Sequence, residues 1–399
     1  MDKIITMKKT FIKILILFSI VFLFVSCNDP IFFMVHEETP ILKPFIAGSP
    51  TNFVILGDAM YVASGNKIFS YGKNTNRWFE YGKLGSRIGA LAATNNSLYI
   101  LYLLSDNDNG RIRNCNTGGD LVFPNGIPIL FVQSIHASDD VLFICIRSNN
   151  KYIIYYIQDA PNSVGTINYI VELNSNLNGV ASDNTYYYLC VNEGIFYFEK
   201  SQIKSSLADV QNLKILGENF DFTGIIELKN NYVAAITNEG ILYEISNETI
   251  REAARFSDDR YSTGALALWY RDEKDTMPSL LLVGRKEIYY STSSNYTNGY
   301  VEILLDHTEA NPPGSSLPIT SGRILGLSFI EPGRGGTPTS IVNYDRYISS
   351  LGKKLVNYFI QAPVSIDPHM TLFAATQKDG VWSYRDRGDG KGEQWNAEQ

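Results

Sequence analysis

The sequence predicts an all-β protein of β-propeller architecture, built from seven four-stranded blades. An apolar run of four or five residues, a turn that contains glycine and a second apolar run recur along the chain. The copies follow one another at intervals of about 40 to 50 residues, a period typical of propeller blades. The chain also holds 25 tyrosines and 21 phenylalanines, which favour the half-buried surface of a sheet.

The hairpin at the centre of the repeat is clearest in three copies. Residues 187–197, 233–243 and 372–382 align, and in each copy a glycine closes the turn that follows the apolar run. Glycine adopts the positive φ angle that a tight hairpin turn requires, whereas other residues do so at a cost. We therefore expect positive φ angles in hairpin turns at three positions, namely Gly194, Gly240 and Gly380.

Each apolar run of the repeat is predicted to start the second strand of a blade. Short β-like runs precede and follow most copies, which gives four antiparallel strands per unit. The seven second strands begin near Met60, Leu98, Val141, Tyr186, Tyr232, Leu280 and Leu372. An open array of blades leaves two apolar faces in water. Closure should therefore bring the blade with Trp382 and Trp395 against the blade with Tyr61 and Phe69.

The last interval, from Leu280 to Leu372, is about twice the usual blade period. It contains a Pro- and Gly-rich stretch at residues 331–336 and a possible helix at residues 347–359. We interpret residues 323–360 as an insertion in the last blade that forms a loop with a short helix. The alternative is a propeller of eight blades, one of them degenerate.

The first 26 residues have the composition of a signal peptide. Three lysines at positions 8, 9 and 13 precede an almost uninterrupted apolar run at residues 14–25. Twelve helical residues span about 18 Å, which is too short for a bilayer core of about 30 Å. A secretory h-region fits this length better than a resident membrane span. We expect residues 1–26 to direct export.

Cys27 is the candidate site of lipid attachment. Leu23, Ser26 and Cys27 lie at the end of the apolar run in a pattern that resembles the lipobox of bacterial lipoproteins. The resemblance implies that the Cys27 thiol receives diacylglycerol and that cleavage before it makes it the new N-terminus. Phe24 and Val25 are bulkier than the usual pattern. The alternatives are an ordinary secretory cleavage nearby or an uncleaved anchor.

Lipidation at Cys27 sets the expected domain organisation. Residues 27–50 include four prolines and form a lipidated tether, and residues 51–399 form the propeller. Several acyl chains, at about 0.8 kcal/mol for each buried CH₂ group, hold a protein at a membrane essentially permanently. The expected location is therefore a bacterial membrane, on the periplasmic face or at the outer cell surface.

The remaining cysteines and histidines show no metal-ligand spacing. Cys145 and Cys190 lie in apolar strand-like runs and are interpreted as core residues, while Cys115 makes the number of downstream cysteines odd. Residues 106–110 resemble a calcium loop in part, but no Glu follows at the twelfth position, so a hairpin turn is the better interpretation. We predict no metal site and no cofactor.

The sequence favours a binding protein over an enzyme and argues against a nucleic-acid partner. The net charge is −7 and no basic cluster follows the signal peptide, whereas nucleic-acid binding needs a basic face. The tripeptide at residues 387–389 reads Arg-Gly-Asp, the integrin-binding motif, but a Gly- and Asp-rich turn explains it as well. No catalytic residue stands out, because no nucleophile elbow or phosphate loop is present.

The end of the chain resembles a known group of propellers. Residues 380–384 and 394–396 are similar to the last blade of bacterial sensor-type and sialidase-like propellers. The resemblance covers blade motifs only and implies no activity. The leading hypothesis is a non-catalytic binding or scaffolding propeller with an envelope protein or a glycan as partner. The alternative is an extracytoplasmic enzyme that acts on carbohydrate, with acids and arginines converging at the central channel.

Overall fold

The structure is a computed structural model that describes most of the chain downstream of Lys43. It describes residues 44–73, 77–103, 110–123, 131–160, 163–204, 210, 212–228, 232–239, 241–255, 266–269, 280–284, 300–304, 328–330, 356–386 and 393–398. The compact unit that contains them runs from Pro44 to Gln399. Cys27, the signal peptide and most of the expected tether lie outside the described residues.

The described residues form seven antiparallel sheets, six of four strands and one of three. The first sheet contains β1 (Val54–Leu56), β2 (Ala59–Ser64), β3 (Lys67–Gly72) and β4 (Trp78–Lys83). The second contains β5 (Ile88–Ala93), β6 (Leu98–Leu103) and β7 (Gly110–Asn114). The third contains β8 (Val132–Ser138), β9 (Val141–Ser148), β10 (Lys151–Ala160) and β11 (Ser163–Leu173).

The other four sheets each have four strands. The fourth contains β12 (Leu177–Ser182), β13 (Tyr186–Val191), β14 (Gly194–Glu199) and β15 (Lys214–Leu216), with helix α1 (Lys200–Lys204) between the last two. The fifth contains β16 (Phe222–Leu228), β17 (Tyr232–Thr237), β18 (Ile241–Ser246) and β19 (Thr249–Arg255). The sixth contains β20 (Leu266–Trp269), β21 (Leu280–Gly284), β22 (Tyr300–Leu304) and β23 (Ser328–Ile330). The seventh contains β24 (Val356–Gln361), β25 (Leu372–Thr376), β26 (Val381–Asp386) and β27 (Glu393–Ala397).

The strands within every sheet pair in chain order, as expected for propeller blades. All seven predicted second strands are present and begin within one residue of the predicted starts. Gly194 and Gly380 have φ angles of 146° and 79°, which confirms the hairpin prediction at both positions. Gly240 lies outside the described residues.

A β-bulge recurs near the start of the first strand in five of the sheets. In each case one residue of the first strand has no partner in the second, as at Gly89 of β5, Asn178 of β12 and Thr223 of β16. A bulge increases the local right-handed twist of the bulged strand. The repeated bulge indicates that these five first strands share one backbone shape.

The core lies between neighbouring sheets, where apolar faces pack against each other. The cluster between the third and fourth sheets includes Phe143, Leu189 and Phe198, all fully or almost fully buried. The first strands contact one another in the order β1, β5, β8, β12, β16, β20 and β24. Phe373 of β25 packs on Tyr71 with ring centroids 5.0 Å apart, which closes the ring between the last and first sheets. The predicted closure is confirmed.

The folded unit begins earlier than the sequence suggested. Residues 44–50, expected to be part of the tether, lie along the seventh sheet, where Gly380 N donates to Gly48 O at 2.9 Å and Val381 N to Ile46 O at 3.1 Å. Ile46 is completely buried between the first and last sheets. We call residues 45–50 the N-terminal clasp. A tether with free backbone groups would need water to satisfy them, whereas the clasp pairs them with β26.

Two expectations for residues 323–360 are wrong. Ser328–Ile330, assigned to an insertion in the last blade, is β23 and pairs with β22 of the sixth sheet. The possible helix at residues 347–359 ends in a strand instead, because 356–359 belongs to β24 and pairs with β25. Phe359 of this segment is buried, and the pairing of the strand within the sheet overrides local helix propensity. The rest of the stretch lies outside the described residues.

Candidate functional site

A cavity of about 820 Å³ lies at the centre of the ring, along the axis that the first strands surround. The first strands pair on one side only, with the second strand of their own sheet, so their other edge faces this cavity. The described walls include Ile55 of β1, Val180 of β12 and Ile225 of β16. Its size falls in the range of small-molecule sites, about 300 to 1,000 Å³. The cavity is the candidate functional site.

Three first strands end together at one mouth of the cavity. Ser138 ends β8, Ser182 ends β12 and Glu227 is the last residue but one of β16. Glu227 Oε1 accepts hydrogen bonds from Ser138 Oγ at 2.7 Å, from the Ser182 backbone N–H at 2.7 Å and from Ser182 Oγ at 3.1 Å. One carboxylate oxygen therefore joins the third, fourth and fifth sheets. We call this group of three residues the mouth network.

A lysine extends the mouth network towards the outside. Lys200 Nζ, at the start of α1, lies 2.6 Å from Asp139 Oδ2 and donates to Ser182 Oγ at 3.0 Å. The ammonium group also lies 5.0 Å from the centre of the Tyr187 ring. Asp139 is therefore the ion-pair partner of the Lys200 ammonium group, and this pair connects α1 with the turn that follows β8.

His136 lies on β8, two residues before Ser138, and also lines the cavity. Its Nε2 lies 3.1 Å from the Leu177 backbone oxygen, a contact that requires a proton on Nε2. Burial lowers the pKa of the imidazole to about 4, and the hydrogen bond to Leu177 only partly opposes this effect. The ring is therefore neutral near pH 7 and acts as a link between the third and fourth sheets.

The residues singled out in the sequence lie apart from this site or beyond the described chain. Cys145 and Cys190 are free and buried in the core, as predicted, and burial raises the pKa of the Cys145 thiol to about 11. Leu103 pairs with Gly110 between β6 and β7, while residues 106–109 of the predicted turn lie outside the described residues. Residues 387–389, like Cys27, are not among the described residues. No described helix is long and apolar enough to cross a membrane.

The mouth network was not predicted, although one signal for it exists in the sequence. Ser138 and Ser182 are 44 residues apart and Ser182 and Glu227 are 45 apart, which is the blade period. Polar residues that recur at that period at the ends of first strands must converge in a closed ring. The pattern is visible only after the strand boundaries are fixed, because isolated serines are common in loops.

Comparison with known proteins identifies the fold. No protein-family model matches the chain, and no curated protein matches it. A chain in the crystal structure of the mitotic checkpoint complex is 10% identical, with a TM-score of 0.50 over 86% of this chain and 90% of that chain. This chain is a β-propeller. At such low identity the likeness shows the fold alone.

A second structural neighbour of the propeller is a much longer protein. PorZ, described as an essential bacterial surface component of the type-IX secretion system of Porphyromonas gingivalis, is 11% identical with a TM-score of 0.50. The match covers 89% of this chain and 39% of the PorZ chain. The propeller thus spans well under half of PorZ. Neither neighbour assigns a ligand or a residue role to the cavity.

Proposed function

We propose that the chain is a non-catalytic binding or scaffolding propeller, exported and held at a bacterial membrane by lipid on Cys27. The observation that carries the proposed absence of catalysis is the pattern of hydrogen bonds in the mouth network. The described polar groups there are bonded to one another, since Glu227 Oε1 accepts three hydrogen bonds and Lys200 pairs with Asp139. No arginine is among the described residues that line the cavity, although a sialidase-like site needs several for a substrate carboxylate.

The proposal includes seven blades. The second sheet has three strands, but residues 119–121 follow the outer edge of β7. Arg113 and Asp120 form an antiparallel bridge there, and Leu121 N donates to Ile112 O at 2.8 Å. These contacts support a short fourth strand that completes the second blade. A ring of seven blades offers two faces of connecting loops, the surfaces on which propellers commonly carry variable contacts.

An envelope location agrees with two independent features. The apolar run before Cys27 is typical of an exported lipoprotein, and the structural neighbour PorZ is described as a bacterial surface component. We propose an envelope protein as the partner, with a glycan as the second possibility. The exposed aromatic side chains of Phe79 and Tyr81 on the outermost strand of the first sheet offer one contact surface outside the cavity.

Metabolic labelling tests the anchor. Cells that express wild type or Cys27→Ala are grown with a clickable fatty acid. Label on the wild-type protein and none on the variant is the expected result, together with release of the variant from the membrane fraction. Equal labelling of the two proteins would refute lipidation at Cys27.

Affinity capture tests the binding function. The lipidated chain is captured from detergent-solubilised envelopes after mild cross-linking, and Phe79→Ala/Tyr81→Ala is captured in parallel. The expected result is a partner enriched in stoichiometric amount by the wild type. The enzymatic alternative predicts instead that the wild type hydrolyses fluorogenic sialosides or other glycosides and that Glu227→Gln does not; that outcome would overturn the proposal.

A further inference from the structure

The two oxygens of the Glu227 carboxylate differ in the number of hydrogen bonds that they accept. Its Oε1 accepts all three hydrogen bonds of the mouth network, whereas no donor among the described residues reaches Oε2. Glu227 is nevertheless an exposed residue and lines the cavity. A carboxylate that is held rigidly through one oxygen presents the other as an oriented acceptor at small entropic cost. Because Glu227 is exposed and lines the cavity, its second oxygen is the one that a ligand at the mouth could reach.

Among the described residues, three carboxylates and one ammonium group lie near the mouth of the cavity. Burial raises the pKa of the nearby Tyr187 hydroxyl, and Asp139, Asp140 and Glu227 raise it further through their charges, so the three carboxylates share one neighbourhood. The ammonium group described there is that of Lys200, which lies in salt-bridge contact with Asp139. Among the described residues, no cation forms an ion pair with Glu227. The field at the mouth therefore favours a cation from outside.

The residues that line the cavity indicate which type of cation the mouth can bind. In the part of the chain that the structure describes, no three His, Cys, Asp or Glu side chains are placed so that they could hold a metal ion together, whereas a divalent ion bound by oxygen needs about six ligands. Val180, Ile225 and Ile226 line the cavity with apolar side chains. An apolar wall next to one carboxylate suits a long side chain with an aliphatic stem and a charged nitrogen head.

The size of the cavity and its exposed backbone edges indicate how such a side chain arrives. At about 820 Å³ the cavity is several times larger than one arginine or lysine side chain, so it admits part of the loop that carries it. The free edges of the first strands offer backbone groups to that loop. Acidic sugars are repelled by the same carboxylates, which favours a protein over an anionic glycan.

We propose that the cavity mouth binds an arginine or lysine side chain of a partner protein, with its charged head on Glu227 Oε2 and its stem against the apolar residues that line the cavity. This inference rests on the proposed binding function and names the partner chemistry of that site. The mouth network then has two roles: it joins three blades through Oε1 and recognises the partner through Oε2.

Glu227→Gln separates these two roles. Glutamine keeps an oxygen that accepts the three hydrogen bonds but removes the negative charge. The full chain in detergent is titrated calorimetrically with an acetylated Gly-Arg-Gly amide and with its citrulline analogue, which is isosteric and neutral. We expect the arginine peptide to bind the wild type at least about tenfold more tightly than the citrulline peptide and to bind Glu227→Gln about tenfold more weakly. Glu80→Gln, which removes the same charge from the outer strand β4, should leave binding unchanged.

Each contrary result has a defined meaning. Equal binding of the arginine peptide to wild type and Glu227→Gln, or no binding by the wild type at millimolar peptide, overturns the proposal. Agmatine that binds as tightly as the peptide also overturns it, because the site then takes a free small cation rather than a protein loop. If Glu227→Gln does not fold, the salt dependence of peptide binding to the wild type is measured instead. Binding that persists unchanged at high salt contradicts an ion pair and overturns the proposal.

Envelope capture distinguishes failure of this inference from failure of the binding function. A partner that wild type and Glu227→Gln recover equally leaves the binding function standing and excludes this site. A partner that Glu227→Gln loses and Glu80→Gln keeps supports both proposals.

Discussion

The interface between the third and fourth sheets and the seam between the first and seventh sheets are held together in different ways. In the former, Phe143 packs on Tyr187 with ring centroids 5.4 Å apart, and the two sheets follow each other directly along the chain. At the seam, Phe373 packs on Tyr71 and Trp78, but the two sheets lie at opposite ends of the chain. The covalent connection that aligns consecutive sheets is missing there.

The N-terminal clasp adds backbone hydrogen bonds at the seam, where no covalent connection aligns the two sheets. Its backbone forms three hydrogen bonds with the seventh sheet: two from the start of β26, and one from Phe45 N to Glu398 O at 2.5 Å. Ile46 fills the space between the sheets and is completely buried. The comparison teaches that side-chain packing and side-chain hydrogen bonds such as that of His136 join two sheets that the chain already connects, whereas the closing contact adds backbone–backbone hydrogen bonds.

Gly380→Ala is expected to have the largest effect, because it breaks the clasp at its closest contact. A Cβ atom at this position would lie 2.0 Å from Ile46 O, and the φ angle is +79°. We expect a loss of about 3 kcal/mol or more in the free energy of unfolding. Gly65→Ala is the matched control, with a φ angle of +61° and open space around the added atom, and should cost about 1 kcal/mol. Equal losses in urea unfolding would show that the clasp contributes nothing.

Ile46→Ala tests whether the clasp belongs to the core. Removal of a fully buried isoleucine side chain costs about 2 to 4 kcal/mol when the cavity cannot collapse. Ile55→Ala is the control, because Ile55 is 37% exposed on β1, and its loss should stay below about 1 kcal/mol. Thermal or urea unfolding measures both. A loss at Ile46 as small as that at Ile55 contradicts a structural role for the clasp.

A pH dependence is expected from the interface between the third and fourth sheets. His136 has a folded-state pKa of about 4, below its ordinary value of 6.5. The unfolded chain therefore binds a proton that the folded chain does not, and stability decreases as the pH falls from about 6.5 towards 4. Between pH 7 and pH 5 this one residue should cost about 1 to 2 kcal/mol. His136→Gln, which keeps a donor for Leu177 O, should weaken that dependence; an identical pH profile for the two proteins would exclude His136 as its source.

Two tyrosine hydroxyls give the smallest expected difference. Tyr188 OH donates to Asp183 within the fourth sheet at 2.7 Å, and Tyr71 OH donates to Asp367 across the seam at 3.2 Å. Both carboxylates are buried, so removal of either donor leaves an acceptor less well satisfied. We expect Tyr188→Phe to cost about 1.5 kcal/mol and Tyr71→Phe about 0.5 kcal/mol in unfolding experiments. The opposite order would indicate that the seam is the more rigid of the two interfaces.

Sequence patterns predicted the blades better than the contacts that close them. The second strands were predictable because each is a buried apolar run followed by turn residues, and both signals are local. The clasp was missed because Pro44 and Pro50 indicate an irregular segment, while its hydrogen bonds reach strands more than 300 residues later. Local composition does not report such long-range pairing.

The candidate site was less predictable than the fold. The proposed roles of Glu227 depend on which of its two oxygens is already bonded, and only the positions of Ser138 and Ser182 determine that. In a sequence with 41 acidic residues, nothing marks this glutamate as different until three strand ends are brought together. Lys200 likewise belongs to the site only because α1 begins directly after β14.

The clasp also sets an order of events while the chain is synthesised. Synthesis proceeds from the N-terminus, so residues 45–50 emerge long before their partners at Gly380, Val381 and Glu398. Tyr71 and Asp367, which meet across the seam, are separated by 296 positions along the chain. The blades in between can form as they appear, but the ring stays open until the end of the chain is released. Until then the apolar faces of the first and last blades are exposed to water, so a chaperone would protect the chain most during this period.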